Sequence, residues 1–197
     1  TKKKKYKVIV VSSAMSGVTN ELVKKSRQIS EDFSDEEYDV LVSSGEQVAC
    51  SLIAARLIHK GFKSRSWLSW QVPILTKGSH KNSRINLINK KKIIKYLNDG
   101  GIPIITGFQG INDKERITTI GRGGSDSSAI MLAKFFKAKR CIIYTDVEGV
   151  YTTDPNIETN AKKIDKLTYE EMLEMSSTGA KVLQTRSVEL AMKNNLT

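Results

Sequence analysis

Short strand-like segments alternate with helical patterns along this chain. Residues 63–68 are one strand candidate, and residues 6–11, 102–106 and 140–145 are candidates rich in β-branched residues. Continuous apolar runs of this length are typical of strands that are buried on both faces. Because strands that alternate with helices form a largely parallel sheet covered by helices, the sequence predicts an α/β fold, a three-layer α/β/α sandwich with a mainly parallel central sheet.

Helical patterns occupy most of the remaining chain. We predict helices over residues 19–30, 47–59, 89–97, 125–136, 168–175 and 180–194, a hairpin or loop over 107–119 and an irregular segment over 144–155. Ser43 and Glu46 have capping-box spacing before the second of these helices, and Thr168 and Glu171 have it at the fifth.

Size and charge limit the function classes. A chain of 197 residues with 39% hydrophobic content buries the core of one domain. The formal charge is +11, but the lysines are scattered over solvent faces, so no nucleic-acid partner is predicted. No window resembles the unbroken apolar run of a membrane span, and we therefore expect a cytoplasmic protein without a membrane partner.

The cysteines and histidines do not have metal-ligand spacing. Cys50 and Cys141 each lie in an apolar run, which predicts two buried reduced thiols. His59 and His80 are isolated and are interpreted as ordinary surface or packing residues. The sequence therefore predicts no metal site made by the protein alone.

A glycine-rich turn with a cation and a carboxylate leads directly into the helix predicted from Ser125. Gly121, Gly123 and Gly124 surround Arg122, and Asp126 follows. Glycines allow a ligand to approach the backbone, and the first amides of a helix attract anions. The alternative is a solvated turn capped by Ser125. The spacing matches neither an ordinary P-loop nor a dinucleotide-binding motif, so phosphate binding here would be of another type.

Several polar loops follow predicted strands. Residues 13–17, residues 107–110 and the pair Thr145 and Asp146 are the main examples. Ligands of α/β folds bind beyond the carboxyl ends of the strands. We therefore expect these loops to share one cleft with residues 121–126, provided that this turn folds back.

Six segments, in order, resemble the motifs of aspartokinases over nearly the whole chain. The segment at 144–155 is shared widely among amino acid kinases, including uridylate and glutamate kinases, whereas 121–126 and 170–182 are more particular to aspartate kinases. The segments are SAMSGVTN at 13–20, SSGEQ at 43–47, GFQG at 107–110, GRGGSD at 121–126, YTDVEGVYTTDP at 144–155 and EEMLEMSSTGAKV at 170–182.

The resemblance implies ATP-dependent phosphorylation of the side-chain carboxylate of L-aspartate to 4-phospho-L-aspartate, the first step of lysine, threonine and methionine biosynthesis. It implies that Arg122, with Ser125 and Thr19, binds the substrate carboxylate and that Glu46 binds the ammonium group. Asp126 would orient charged groups near the transfer, so that Arg122, Asp126 and Lys181 form the implied catalytic set.

The nucleotide is implied to be ATP with bound Mg²⁺. By the same resemblance its contacts are Thr145, Asp146, Tyr151, Lys181 and Val182. Structural readings stay open for some of these residues, because Asp146 suits a turn and a lysine side chain can extend into water. A cation in the first turn of the predicted helix 180–194 opposes the macrodipole, so Lys181 is better explained by a bound anion.

Some features of the family have no counterpart in residues 1–197. Aspartokinases begin with a lysine- and glycine-rich phosphate-binding segment and end with regulatory domains, and Asn156 stands where a basic residue is usual. We therefore expect a single, truncated catalytic domain, with a homo-oligomer possible. Two alternatives stay open: an inactive remnant that acts as a binding or assembly partner, and a kinase of the same family for another substrate, such as glutamate or uridylate.

Overall fold

The computed structural model describes residues 6–179 and 182–196. Strands and helices alternate over the first two thirds of this part of the chain, and helices close it. The elements are β1 (Val10–Ser12), α1 (Val18–Ile29), α2 (Asp35–His59), β2 (Ser64–Trp67), β3 (Ile74–Lys77), β4 (Arg84–Ile88), α3 (Lys91–Asn98), β5 (Ile102–Thr106), β6 (Gln109–Ile111), β7 (Ile117–Thr119), α4 (Gly124–Phe135), α5 (Tyr169–Thr178) and α6 (Thr185–Lys193).

A parallel sheet of three strands, in the order β1-β5-β2, forms the centre of the fold. Successive residues of β5 point to opposite faces, and Ile104 and Ile105 are both fully buried. Ile104 packs against Cys50 and Ala54 of α2. Ile105 belongs to a larger cluster on the other face that includes residues of α3 and α4. Helices therefore cover both faces of this sheet, which confirms the predicted α/β architecture.

A second sheet contains four strands in the order β4-β3-β6-β7. The predicted hairpin over 107–119 is present as the antiparallel pair β6 and β7. Strands β3 and β4 are an antiparallel pair that the sequence analysis did not predict, and β3 also pairs in parallel with β6. Neither missed strand is a continuous buried apolar run: β3 alternates buried with less buried positions, whereas β4 is mostly exposed and is buried at Ile88. The second sheet is therefore mixed.

The prediction for the second helix was wrong at its start. Helix α2 begins at Asp35, where three consecutive acidic residues occupy the first turn, and it continues through Gly45 to His59. Acidic side chains are favourable at a helix N-terminus. Glu46 therefore lies in the middle of the helix, and its interpretation as a capping-box residue is incorrect. The capping box of Thr168 and Glu171 at the start of α5 is confirmed.

The expected strand over residues 140–145 is absent. The side chains of Ile142 and Tyr144 are exposed, and within the described residues no strand pairs with this segment. A β-branched sequence forms a ladder only where a partner supplies the hydrogen bonds. Helix α6 also differs, since it begins at Thr185 and not at residue 180. Lys181, which the sequence predicted in the first turn of this helix, lies outside the described residues.

Helix α2 is long and apolar enough to meet the length and composition criteria for a membrane span, contrary to the expectation from the sequence. In the structure it packs against β2 and β5 and contains the buried carboxylates of Asp39 and Glu46. These are the contacts of a core helix in a folded domain.

Candidate active site

Five of the predicted site residues line one cavity of about 430 Å³ at the carboxyl end of the parallel sheet. They are Thr19, Glu46, Arg122, Ser125 and Asp126. We call this space the turn cavity, and its lining is completed by Ser13, Tyr38, Lys81, Phe108, Thr119, Gly121, Gly123 and Gly124.

Glu46 reaches the turn cavity because α1 and α2 pack closely at Gly45. A Cβ atom on Gly45 would lie 3.0 Å from Ala14 Cβ and 3.2 Å from Val18 Cγ1. This close approach brings the Ala14 amide to Glu46 Oε1, to which it donates a hydrogen bond at 3.2 Å. The second oxygen, Oε2, is buried and has no hydrogen-bond partner among the described residues.

Burial changes the acidity of Glu46. Glu46 is 3% exposed. Desolvation raises the pKa of its carboxyl to about 7, although hydrogen bonds from the backbone oppose this shift. A buried carboxyl with a free oxygen is costly unless a cation or donor meets it. The geometry therefore favours a cationic ligand at Oε2.

The turn from Gly121 to Asp126 folds back onto the strand edge, as expected. The Phe108 amide donates to Ser128 Oγ of α4 at 3.0 Å. A Cβ atom on Gly107 would lie 3.0 Å from Ser125 Cβ and from the Ser12 carbonyl oxygen, so the start of α4 lies directly beside the ends of β1 and β5. Arg122 is exposed in this turn. Burial raises the pKa of the Asp126 carboxyl.

The loop between β3 and β4 adds Lys81 to the turn cavity, a residue that the sequence analysis missed. The buried Asp39 holds this loop: it accepts from the Lys81 amide at 3.1 Å and from Thr119 Oγ1 at 2.6 Å, and His80 Nδ1 lies 2.7 Å away. The Lys81 ammonium lies 4.7 Å from the centre of the Tyr38 ring. The polar run at 78–83 between two apolar segments was the available signal for this loop.

A second, larger cavity of about 740 Å³ is formed by the irregular segment and the end of α5. We call it the loop cavity. It contains the predicted nucleotide-binding residues Thr145, Asp146, Tyr151 and Val182; Lys181 lies outside the described residues. The rest of its lining is Val147, Glu148, Gly149, Val150, Thr152, Thr153, Asp154, Pro155, Asn156, Met175, Thr178 and Gly179.

Polar side chains of the loop cavity are partly paired with one another. Thr145 Oγ1 donates to Asp146 Oδ1 at 3.2 Å, and the Tyr151 hydroxyl donates to Glu148 Oε2 at 3.0 Å. The hydrogen bond to Glu148 raises the pKa of Tyr151. Both hydrogen bonds are exposed to solvent, so a ligand can replace them at a low cost in free energy.

The single cleft expected from the sequence is divided into two cavities that share no lining residue. Cys141 is a free, half-buried thiol that precedes the segment forming the loop cavity, and Cys50 is a free, buried one. Burial, and with a smaller effect the Asp126 charge, raises the pKa of Cys141.

Comparison with known proteins identifies relatives of this chain. The amino acid kinase family matches residues 1–197. An aspartokinase from Rickettsia felis is 51% identical over 96% of this chain and 48% of its own length. An aspartate kinase from Stutzerimonas stutzeri is 50% identical over 94% of this chain and 45% of its own length. The chain spans about half the length of the curated relatives that it matches.

Solved structures show the same fold. The structure of E. coli aspartokinase III in complex with aspartate and ADP has a TM-score of 0.85 at 27% identity and covers 96% of this chain, which spans 54% of that protein. Aspartate kinase from Synechocystis has a TM-score of 0.82 at 40% identity, over 96% of this chain and 31% of that one. The fold expected from the sequence motifs is therefore confirmed.

Proposed function

We propose that this chain, which belongs to the amino acid kinase family, phosphorylates the side-chain carboxylate of L-aspartate with ATP and so forms 4-phospho-L-aspartate. The observation that carries the proposal is the turn cavity, in which the unpartnered oxygen of the buried Glu46 and the guanidinium of Arg122 line one space. A carboxylate and a guanidinium that line the same cavity suit an amino acid that carries one ammonium and two carboxylate groups. The relative solved with aspartate and ADP supports the same choice.

Each group of aspartate has a complementary residue in the turn cavity. The ammonium group pairs with Glu46 Oε2, whose burial makes a charged partner favourable. Arg122 binds one carboxylate, and the hydroxyls of Thr19 and Ser125 donate to it. The second carboxylate, the phosphoryl acceptor, then lies towards Asp126.

The chemistry needs charge stabilisation more than proton transfer. A carboxylate is already ionised at neutral pH, so it attacks the γ-phosphorus without a general base. The bond between that phosphorus and the ADP oxygen breaks as the new bond to the carboxylate oxygen forms. Two anions must approach, and cations and helix N-terminal amides lower the cost of this approach. Arg122 and the first amides of α4 supply such groups, and we assign Lys181 to the nucleotide phosphates.

The loop cavity is the proposed nucleotide site. Its volume suits a nucleotide, and its rim carries Thr145, Asp146 and Tyr151, which would contact the base and ribose side of ATP, with Val182 beside them. In the proposed reaction, the phosphoryl group passes from this cavity to the substrate carboxylate beside Asp126 in the turn cavity.

Mg²⁺ fits this arrangement as an ion that arrives with the nucleotide. No group of three or more His, Cys, Asp or Glu side chains able to hold a metal occurs within residues 6–179 and 182–196. Mg²⁺ commonly uses one or two carboxylates together with substrate phosphates, and Asp126 is a half-buried carboxyl in the right cavity. When bound, the ion would neutralise phosphate charge.

We further infer that residues 1–197 act as one catalytic domain, in the cytoplasm, at the entry to lysine, threonine and methionine synthesis, with assembly into a homo-oligomer possible. The family resemblance supports these assignments.

The experiment is an assay of the purified protein with ATP, Mg²⁺ and L-aspartate, in which hydroxylamine traps the acyl phosphate. We expect a hydroxamate product that depends on aspartate and, at low aspartate concentration, a much smaller yield from Glu46→Gln but not from the exposed control Glu31→Gln. Faster turnover of glutamate or of UMP than of aspartate would contradict the proposed substrate. Aspartate binding without any product above the no-enzyme control would favour the inactive assembly partner instead.

A further inference from the structure

Arg186, the second residue of α6, donates three hydrogen bonds to uncharged oxygens. Its Nη1 donates to the Ile120 carbonyl at 2.6 Å and to Asn82 Oδ1 at 2.9 Å, and its Nη2 donates to the Ser83 carbonyl at 3.1 Å. The side chain is half-buried, and burial, with a smaller effect of Arg84, lowers its pKa. Within the described residues no carboxylate pairs with it.

The first acceptor fixes the entrance to the glycine-rich turn. The Ile120 carbonyl directly precedes Gly121 and Arg122, and the Ile120 amide donates to the Phe108 carbonyl at 2.9 Å. Both backbone polar groups of Ile120 are therefore held by hydrogen bonds. Because the turn that follows has left-handed backbone at Gly121 and Gly123, its course depends on how its ends are fixed.

Helix α6 also holds the exit from the turn. Ser187 Oγ donates to the Gly123 carbonyl at 3.4 Å and shares a hydrogen bond of 3.2 Å with Ser127 Oγ. Gln184 packs on Gly123 so closely that a Cβ atom there would lie 2.6 Å from Gln184 Cγ. Helix α6 thus contacts the turn on both sides of Arg122.

The other two acceptors belong to the loop between β3 and β4. Asn82 and Ser83 directly follow Lys81, the second cation that lines the turn cavity. One guanidinium therefore connects the backbone segments that carry Arg122 and Lys81. A planar group with several donors in a fixed arrangement can do this, whereas a lysine ammonium is a single point charge on a flexible chain.

We propose that Arg186 is a positioning residue for aspartate recognition, which holds the Arg122 turn against the Lys81 loop and so fixes Arg122 where it binds the carboxylate of the substrate. The proposal rests on the proposed function of the turn cavity. Arg186 does not line either cavity, so it acts through Ile120, Asn82 and Ser83 and not by contact with substrate.

The test compares Arg186→Met and Arg186→Lys with Arg27→Met, a change at an exposed arginine of α1. We expect KM for aspartate to rise by about 10- to 100-fold in Arg186→Met, since small displacements of binding groups have effects of this size. KM for ATP changes less than about twofold, because the loop cavity is formed by other segments. Arg186→Lys retains the defect although it keeps the charge, and added guanidinium ions partly restore aspartate binding to Arg186→Met.

A second readout does not depend on turnover. Hydrogen exchange of the peptides that cover residues 119–126 and 79–84 should be faster in Arg186→Met than in Arg27→Met. If the unmodified protein binds no aspartate, the proposed function fails, and the exchange data still decide the structural role of Arg186.

Three results would overturn the proposal. The first is an equal rise in both KM values, the second is unchanged exchange in the two peptides, and the third is normal aspartate binding by Arg186→Lys. If Arg186→Met does not fold, Arg186→Lys with the same readouts decides the matter.

Discussion

Glu46 is a carboxyl group in the middle of a core helix with one oxygen that has no partner in the described structure. Helix interiors normally bury apolar residues, and an unpaired buried polar atom costs free energy. Binding of an ammonium group would remove that cost, and this change in free energy would favour aspartate binding. Three predictions concern this single side chain.

The first concerns the charge. Glu46→Gln keeps the shape of the side chain but removes the negative charge, and hydrogen bonds to charged groups contribute about 1.5–3 kcal/mol. We expect KM for aspartate to rise by about 10- to 100-fold while KM for ATP stays nearly constant. Steady-state kinetics measure both values. A KM for aspartate within about twofold of the unmodified protein would show that Glu46 does not bind the ammonium group.

The second concerns pH. Because the pKa of Glu46 is about 7, raised from 4.5 by burial, the free site is partly protonated at neutral pH and must release a proton when the ammonium group binds. We expect KM for aspartate to rise as the pH falls below 7. Calorimetry in two buffers of different ionisation enthalpy should detect the released proton, and Glu46→Gln should release none.

The same shift affects stability with a definite sign. The folded-state pKa lies above the unfolded value, so the folded state favours the protonated carboxyl. This contribution is fully present below about pH 4.5 and is lost as the pH rises through 7, with a total of about 3 kcal/mol for this group. Urea unfolding without substrate should show this slope between pH 5 and 8 more strongly than it does in Glu46→Gln.

At the scale of elements, the packing of α1 on α2 determines where Glu46 reaches the surface of the turn cavity. Gly45 allows this packing, because its missing side chain leaves room for Ala14 and Val18. The loop between β1 and α1 is then close enough for its amide to meet Glu46. An element contact and a site contact therefore depend on one glycine.

Gly45→Val tests this dependence. The added Cβ would lie 3.0 Å from Ala14 Cβ, so α1 and its preceding loop must move away. Overpacking of this kind costs about 1–3 kcal/mol, and we expect a lower free energy of unfolding together with a higher KM for aspartate. Ser51→Val, on the exposed face of the same helix, controls for helix propensity. Equal effects of the two changes on stability and on KM would contradict the packing argument.

The elements also show which structural signals the sequence contains. Strand β5 was predictable because it is a mostly apolar run, and the β6–β7 hairpin because polar residues mark its tip. Strand β2 was also predicted, although its sequence of two serines, an arginine and a tryptophan is not such a run. Strands β3 and β4 were missed, because β3 alternates buried with less buried positions and β4 is mostly exposed. Residues 140–145 have strand composition, but pairing is a property of neighbours and not of the segment itself.

The residues of the candidate site also fall into those that the sequence predicted and those that it did not. Thr19, Glu46, Arg122, Ser125 and Asp126 belong to motifs that are continuous in sequence, and the structure brings all five together. Lys81 and Arg186 are held in place by contacts between residues far apart in the chain, to Asp39 and to the Ile120 carbonyl respectively. Such contacts depend on the packing of a loop and of α6, which no local pattern specifies.

For the whole molecule, the relation between the two cavities matters most. The proposed reaction requires the phosphates of a nucleotide in the loop cavity to meet a carboxylate in the turn cavity. Asp126 lines the turn cavity, and its charge acts on Cys141, which precedes the segment that forms the loop cavity. Cys141 therefore serves as a chemical reporter of the Asp126 charge, and its thiol can be followed without any substrate.

Asp126→Asn tests the effect of the Asp126 charge on Cys141 and on the proposed reaction. Removing the negative charge should lower the pKa of Cys141, because that charge now raises it. In a Cys50→Ser background, the pH profile of alkylation by iodoacetamide should shift to lower pH, whereas Asp113→Asn at the exposed hairpin tip should leave it unchanged. The same variant should lower kcat by at least about tenfold with little change in KM for aspartate, as expected for a group that acts in the transition state. A shifted alkylation profile with normal kcat would show that the Asp126 charge acts on Cys141 but that Asp126 takes no part in the reaction. An unshifted profile would show that Asp126 does not act on Cys141.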